Sequence, residues 1–127
     1  MATIELTKDN FDKTLTENDF VLIDFWASWC GPCRQFAPVF EKASEEHSDL
    51  VFAKVDTEDQ QELAASFDIQ SIPTLMVVRD KTVIYAQPGA LPESSLQDLI
   101  KQARALDMDE VRKEIEKQQA NGAAAEE

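Results

Sequence analysis

The sequence predicts an α/β fold, a central mixed five-stranded sheet flanked by helices on both faces. Three observations point there. Residues 20–27 form a near-continuous apolar run, the kind buried on both faces of a sheet. Between that run and a second apolar segment at 50–55, Phe36, Val39, Phe40 and Ala43 recur at helical spacing. This is a βαβ unit, expected to be parallel with a right-handed crossover. Two further apolar segments, 74–78 and 82–86, are separated only by Arg79-Asp80-Lys81 and read as an antiparallel hairpin.

Ile4 and Leu6 suggest a short first strand. Thr7 can cap a helix that carries Phe11 and Leu15 on one face. The 20–27 strand, the helix after Cys30 and the 50–55 strand follow. Residues 59–67 predict a short helix with Leu63 and Phe67 on one side. After the hairpin, Pro92 suits the first turn of a last core helix, whose apolar stripe is Leu96, Leu99, Ile100 and Ala103. The expected domain therefore spans residues 1–106, with a charged extension at 107–127. Within 107–119, Met108, Val111 and Ile115 make a narrow amphipathic helix. Asn121-Gly122 should stop it, and 123–127 has nothing to bury and is expected to be disordered. There is no internal repeat.

At 127 residues and 43% hydrophobic composition, the chain suits a single core. The apolar run 20–23 is far too short to cross a bilayer. The first six residues carry neither a basic n-region nor an apolar h-region. A cytoplasmic protein without a membrane anchor is expected. Lys and Arg total 12 against 25 Asp and Glu, a formal charge of −13. Such a surface repels phosphate backbones and anionic lipids, so neither nucleic acid nor membrane is an expected partner. The acidity reads as a solubility feature and identifies no substrate.

Cys30 and Cys33 are the two cysteines, in Trp29-Cys30-Gly31-Pro32-Cys33 between the long apolar strand and an amphipathic helix. A pair three positions apart closes a tiny loop and staples little. Cys30 falls just before the helix, where free N–H groups and the dipole favour negative charge. A thiolate is the nucleophile of disulfide exchange, so this position activates it. Pro32 fits the first helical turn. Cys33, one turn on, can attack a mixed disulfide at Cys30. The competing reading is half of a zinc site. Structural zinc takes four ligands, and only His47 offers itself, at the far end of the helix, so redox chemistry is preferred and no metal is expected.

Asp24 interrupts the apolar run. Desolvation there should raise its pKa, which makes it either a proton donor and acceptor or a structural carboxylate bonded to a neighbour. Lys54, mid-strand in 50–55, is its natural partner, or an edge lysine that snorkels. Pro73 precedes a strand and is either cis or an ordinary strand-start proline. Pro88-Gly89 marks a turn or a close backbone approach.

These pieces resemble the thioredoxin family. The matching segments are 23–27, the Trp29-Cys30-Gly31-Pro32-Cys33 motif, Ala37-Pro38, Ala53-Lys54-Val55-Asp56, Ile72-Pro73-Thr74-Leu75 and Gly89-Ala90, in the family's order and over roughly residues 4–106. The resemblance implies a thioredoxin-like fold and a disulfide reductase. It implies that Cys30 is the exposed attacking thiol and Cys33 the buried resolving thiol. Asp24 matches a buried aspartate that assists proton transfer at the resolving cysteine, and Lys54 its lysine partner. Pro73 matches a cis-proline facing the site, where the Ile72 backbone pairs with an extended substrate. Trp29, Gly31, Pro32, Ile72, Pro73 and Gly89 match the shallow surface that receives the partner, and Pro38 a kink in the helix. Implied partners are disulfide-containing proteins and a flavin-dependent thioredoxin reductase that draws on NADPH. The implied molecule is a monomer with no bound cofactor. The Gly31-Pro32 pair resembles the reducing members rather than the oxidising or isomerising ones. Three positions depart from the pattern. Lys81 stands where glycine is common, Pro88 where a small or β-branched residue is common, and Thr57 where an apolar residue is usual. The rival from another class is a binding module that clamps a larger enzyme through the same surface without turnover.

Overall fold

The computed structural model describes residues 2–126, and the side chains of 2–120. The strands are β1 (Ile4–Glu5), β2 (Phe20–Trp26), β3 (Val51–Asp56), β4 (Thr74–Arg79) and β5 (Thr82–Pro88). The helices are α1 (Phe11–Glu17), α2 (Gly31–Glu46), α3 (Gln61–Ser66), α4 (Glu93–Ala105) and α5 (Met108–Glu126). The strands form one sheet in the order β1-β3-β2-β4-β5. β3 is parallel to β1 and β2, and β4 is antiparallel to both β2 and β5. This is the mixed five-stranded sheet that the apolar runs predict.

β2 is central, and its two sets of alternating side chains enter two different cores. Phe20 and Leu22 pack with Phe36 and Phe40 of α2 and Leu96 and Ile100 of α4. Val21, Ile23 and Phe25 pack with Leu63 of α3 and, at the margin, Phe11 and Leu15 of α1. Burial on both faces explains why the strand reads as a continuous apolar run rather than an alternating one. A strand period of two then places Asp24 and Trp26 on the face that α2 and α4 cover. Phe40 has no exposed surface and meets Phe52 edge-on, with ring centroids 5.2 Å apart. Emptying such a position costs about 3–5 kcal/mol.

The structure differs from the expected elements at several ends. α1 begins at Phe11 behind Asn10, not at Thr7. The Thr7 hydroxyl accepts from the Asp9 N–H at 3.2 Å, while Asn10 Oδ1 accepts from the Thr7 N–H at 2.7 Å, so both side chains shape the entry turn. Arg79 belongs to β4, which leaves a two-residue hairpin turn. Asp80 and Lys81 have φ of 51° and 63°, and positive φ at both centres marks the type I′ turn that matches strand twist. Pro92 sits at the N-cap of α4, one residue before the first turn. α3 is shorter than 59–67, and Phe67 closes it as the C-cap.

α5 runs on through Asn121-Gly122 to Glu126. One interior glycine costs a helix only about 1 kcal/mol, and the alanines beside it are the strongest helix formers. Of the segment expected to be disordered, Glu127 lies outside the described residues. Asp107 Oδ1 caps α5 by accepting from the N–H groups of Asp109 and Glu110 at 3.0 and 3.3 Å. Met108 is buried, and Arg112 Nη1 meets Asp80 Oδ2 at 3.0 Å. The extension is thereby tied to the β4–β5 turn. Among the described residues, no helix is long and apolar enough to cross a membrane.

Candidate active site

Cys30 occupies the N-cap of α2 in extended backbone conformation, and Pro32 falls in the first turn. The Cys30 Sγ accepts a hydrogen bond from the Cys33 N–H at 3.2 Å. This is the position of a capping side chain, filled by sulfur. The same N–H and the dipole of a 16-residue helix favour a thiolate there. Cys30 and Cys33 are joined as a disulfide with their Cα atoms 5.2 Å apart. The expected contrast in exposure is small. Cys30 is 5% exposed and Cys33 3%, because both pack with Ala27 against Trp26 and Ile72. Pro38 lies inside α2, so the Arg34 carbonyl lacks its usual N–H donor one turn above Cys30.

Ile72-Pro73 approaches from the other side, and its peptide bond is cis. The Cys30 Sγ lies 3.7 Å from the Ile72 carbonyl oxygen. The Pro73 carbonyl accepts from the Gly89 N–H at 2.8 Å, which fastens the cis-proline loop to the end of β5. Gly89 has φ of 112°, a conformation in which a side chain would be strained although a Cβ would have open space, so the backbone angle itself calls for glycine here. Gly31 has open space where a Cβ would sit. Pro88 ends β5 opposite Thr74.

Trp29 is 65% exposed beside the disulfide. Its Nε1–H donates to Glu58 Oε1 at 2.8 Å. The loop carrying Glu58 is set by Asp56, whose Oδ1 accepts from the Glu58 N–H at 3.0 Å. Thr57 turns its hydroxyl inward to donate to the Trp26 carbonyl at 3.0 Å, which leaves its methyl group as the remaining face. Thr57, Trp29 and Ile72 line one groove together with Gln61, Ala64 and Ala65. Glu58 was not legible as a site residue, because it lies in a short acidic loop with no motif of its own.

Asp24 is fully buried, and neither carboxylate oxygen has a hydrogen-bond partner among the described residues. Burial pushes its pKa up to about 7, and the Lys54 charge opposes part of that rise. Lys54 is the register partner of Asp24 across the parallel β2–β3 ladder. Its Nζ lies 4.9 Å from the centroid of the Trp26 ring. A neutral carboxyl that ionises near pH 7 on the sheet face that α2 covers can exchange a proton at working pH.

His47 does not join the cysteines. It is the C-cap of α2, opposite Cys30, with Nε2 2.7 Å from Gln97 Oε1 and Nδ1 3.0 Å from Arg104 Nη2. Among the described residues, no three His, Cys, Asp or Glu side chains gather as metal ligands would.

The thioredoxin family model matches residues 2–102. The chain is 67% identical over 119 residues to the Streptomyces coelicolor protein named "Putative thioredoxin 2", an alignment covering 94% of this chain and 89% of that one. It is 41% identical to the thioredoxin of Bacillus subtilis over 101 residues, 79% of this chain and 96% of the other. The structure of Plasmodium falciparum thioredoxin superposes with a TM-score of 0.72 at 34% identity, over 79% of this chain and 97% of that one.

Proposed function

The chain belongs to the thioredoxin family, a protein-disulfide reductase whose redox pair is Cys30 and Cys33, and on that footing we propose a division of roles within its site. Cys30 is the attacking thiol. Its thiolate attacks one sulfur of a substrate disulfide, the substrate S–S bond breaks, and one substrate thiolate leaves and takes up a proton. A mixed disulfide joins Cys30 to the other substrate sulfur. Cys33 then gives its proton to the Asp24 carboxylate and attacks the Cys30 sulfur. The second substrate thiolate leaves, and the Cys30–Cys33 disulfide remains. Two electrons pass from the enzyme dithiol to the substrate.

The observation that carries this assignment is the place of the Cys30 sulfur, at the N-cap of α2 with the Cys33 N–H bonded to it. Cys33 sits within the first helical turn and has no such cap. Asp24 suits the proton acceptor because it is buried, unbonded and raised to about 7. Lys54 tempers that rise. Trp29, Gly31, Pro32, Ile72, Pro73 and Gly89 form the surface that receives the partner, and the Ile72 backbone pairs with an extended substrate segment. A flavin-dependent reductase drawing on NADPH restores the dithiol, so this chain needs no bound cofactor. It works in the cytoplasm as a monomer on disulfide-containing proteins. Residues 1–106 are the working domain and 107–127 a charged extension appended to it.

The test is reduction of insulin disulfides driven by dithiothreitol, with the native chain set against Cys30→Ser. Catalysis that vanishes in the variant is the expected result. No rate above dithiothreitol alone would contradict it and favour a module that binds a partner without turnover.

A further inference from the structure

Trp26 is conspicuous because it touches both halves of the site. Its ring packs against the Ala27, Cys30 and Cys33 cluster. The same ring has the Lys54 ammonium 4.9 Å from its centroid. Trp26 follows Asp24 by two residues on β2, so both side chains leave the same face of the sheet. Lys54 pairs in register with Asp24, so it shares that face as well. The three residues thus share one sheet face, and Trp26 links the other two to the redox pair.

We propose that Trp26 is a positioning residue, whose ring, packed on the redox pair, holds the Lys54 ammonium beside the Asp24 carboxylate. The inference rests on Asp24 being the proton acceptor of the resolution step.

A lysine stem has four rotatable bonds, and its ammonium is strongly hydrated. Left alone, it extends toward water. The negative face of an indole offsets that pull, and tryptophan does so better than phenylalanine. The groups around Asp24 make the position of this one cation matter. β3 contributes Lys54, and Asp56 opposite Trp26. β1 contributes Glu5 opposite Lys54. α2 contributes Cys33, and Glu41, which accepts from the Thr3 hydroxyl of the segment leading into β1. β4 sets apolar Leu75 opposite Asp24, and the buried residues of α4 are Leu96, Ile100 and Ala103. Lys54 is the cation of this set, and the others are anionic, thiol or apolar. Moving it outward removes the charge that favours ionised Asp24, so the carboxyl stays protonated to higher pH.

A cation–π contact of ordinary strength corresponds to about half a pH unit, or roughly threefold in the ionised fraction below the midpoint. The test follows the Asp24 carboxyl by carbon NMR across pH in the full oxidised chain. It also times resolution of a preformed mixed disulfide in the reduced enzyme. Trp26→Leu should raise the Asp24 midpoint by about half a unit and slow resolution about threefold near pH 6, with recovery near pH 9. Trp26→Phe, which keeps a weaker π face, should shift it less. In a Lys54→Met background, Trp26→Leu should add no further shift. A Trp26 that only fills space would slow the reaction equally at every pH, and its effect would add to that of Lys54→Met. An unmoved midpoint, or an equal shift in both backgrounds, overturns the inference. If Trp26→Leu does not fold, Trp26→Phe decides by the same two readings. Asp24→Asn separates the layers. If it leaves the pH profile of resolution unchanged, the acceptor role fails and the inference with it. If it flattens the profile while Trp26→Leu is silent, only the inference fails.

Discussion

Two charged side chains lie toward opposite ends of the β2–β4 ladder, Asp24 opposite Leu75 and Arg79 opposite Phe20, and the fold treats them in opposite ways. Arg79 is supplied with partners through Nη1, while its buried Nε has none among the described residues. Its Nη1 donates to the Ala103 and Leu106 carbonyls at 2.8 and 3.1 Å, which satisfies the C-terminal end of α4. Its guanidinium also lies 5.2 Å from the Phe20 ring centroid. Asp24 is buried with neither oxygen bonded. Charge with partners welds one end of the sheet, and charge without partners keeps a proton mobile at the other. The first end should report on stability alone, and the second on stability and chemistry together.

The largest expected effect is at Asp24. Its folded pKa of about 7 lies above the 3.8 of a free aspartate, so between those values the folded state holds a proton that the unfolded state has released. The stability this provides is fully present at pH below the unfolded value and is lost as pH rises through about 7. Asp24→Asn should therefore stabilise the oxidised protein most above pH 7, by up to about 4 kcal/mol, and much less at pH 4. Urea denaturation at the two pH values checks it. A gain of equal size at both would break the contrast between the two ends.

Arg79→Met is next. Losing two carbonyl contacts and the ring contact should cost about 2 kcal/mol. The loss should be flat with pH, and insulin reduction by the folded variant should not change. A slower reductase would mean that the two ends are coupled. Smaller again is Lys81→Gly at the hairpin turn. Relieving a positive φ should add about 0.5–1 kcal/mol, read as a shift in the denaturation midpoint. Smallest is Arg112→Ala. Its bonds to Asp80 and Asp109 are exposed, so the shift in the denaturation midpoint should be the smallest of the set and shrink further in high salt.

The same contrast sorts what was legible in the sequence. Elements that bury a regular stripe were readable. Phe36, Phe40 and Ala43 of α2 are buried at the expected spacing, as are Leu96, Ile100 and Ala103 of α4. The Cys30–Cys33 motif and the lone Asp24 in an apolar strand also stood out, because each breaks a local pattern. Features that depend on partners distant in sequence did not. Glu58 reaches Trp29 across 29 positions, and Arg79 reaches α4 across 24. The Lys54 contact with Trp26 exists only once β2 and β3 are paired. Helix ends were misplaced where two local rules competed. Thr7 and Asn10 both suit a cap, and Asn121-Gly122 met the alanines that follow it.

The most direct test of the account is the rate at which Cys33 resolves a mixed disulfide at Cys30, compared between the native chain and Asp24→Asn over roughly pH 6 to 9, a span that brackets a free thiol's pKa. The account predicts slower resolution in the variant near neutral pH, with the difference closing as the medium itself takes the proton. Equal rates across the whole range would contradict a proton-transfer role for Asp24.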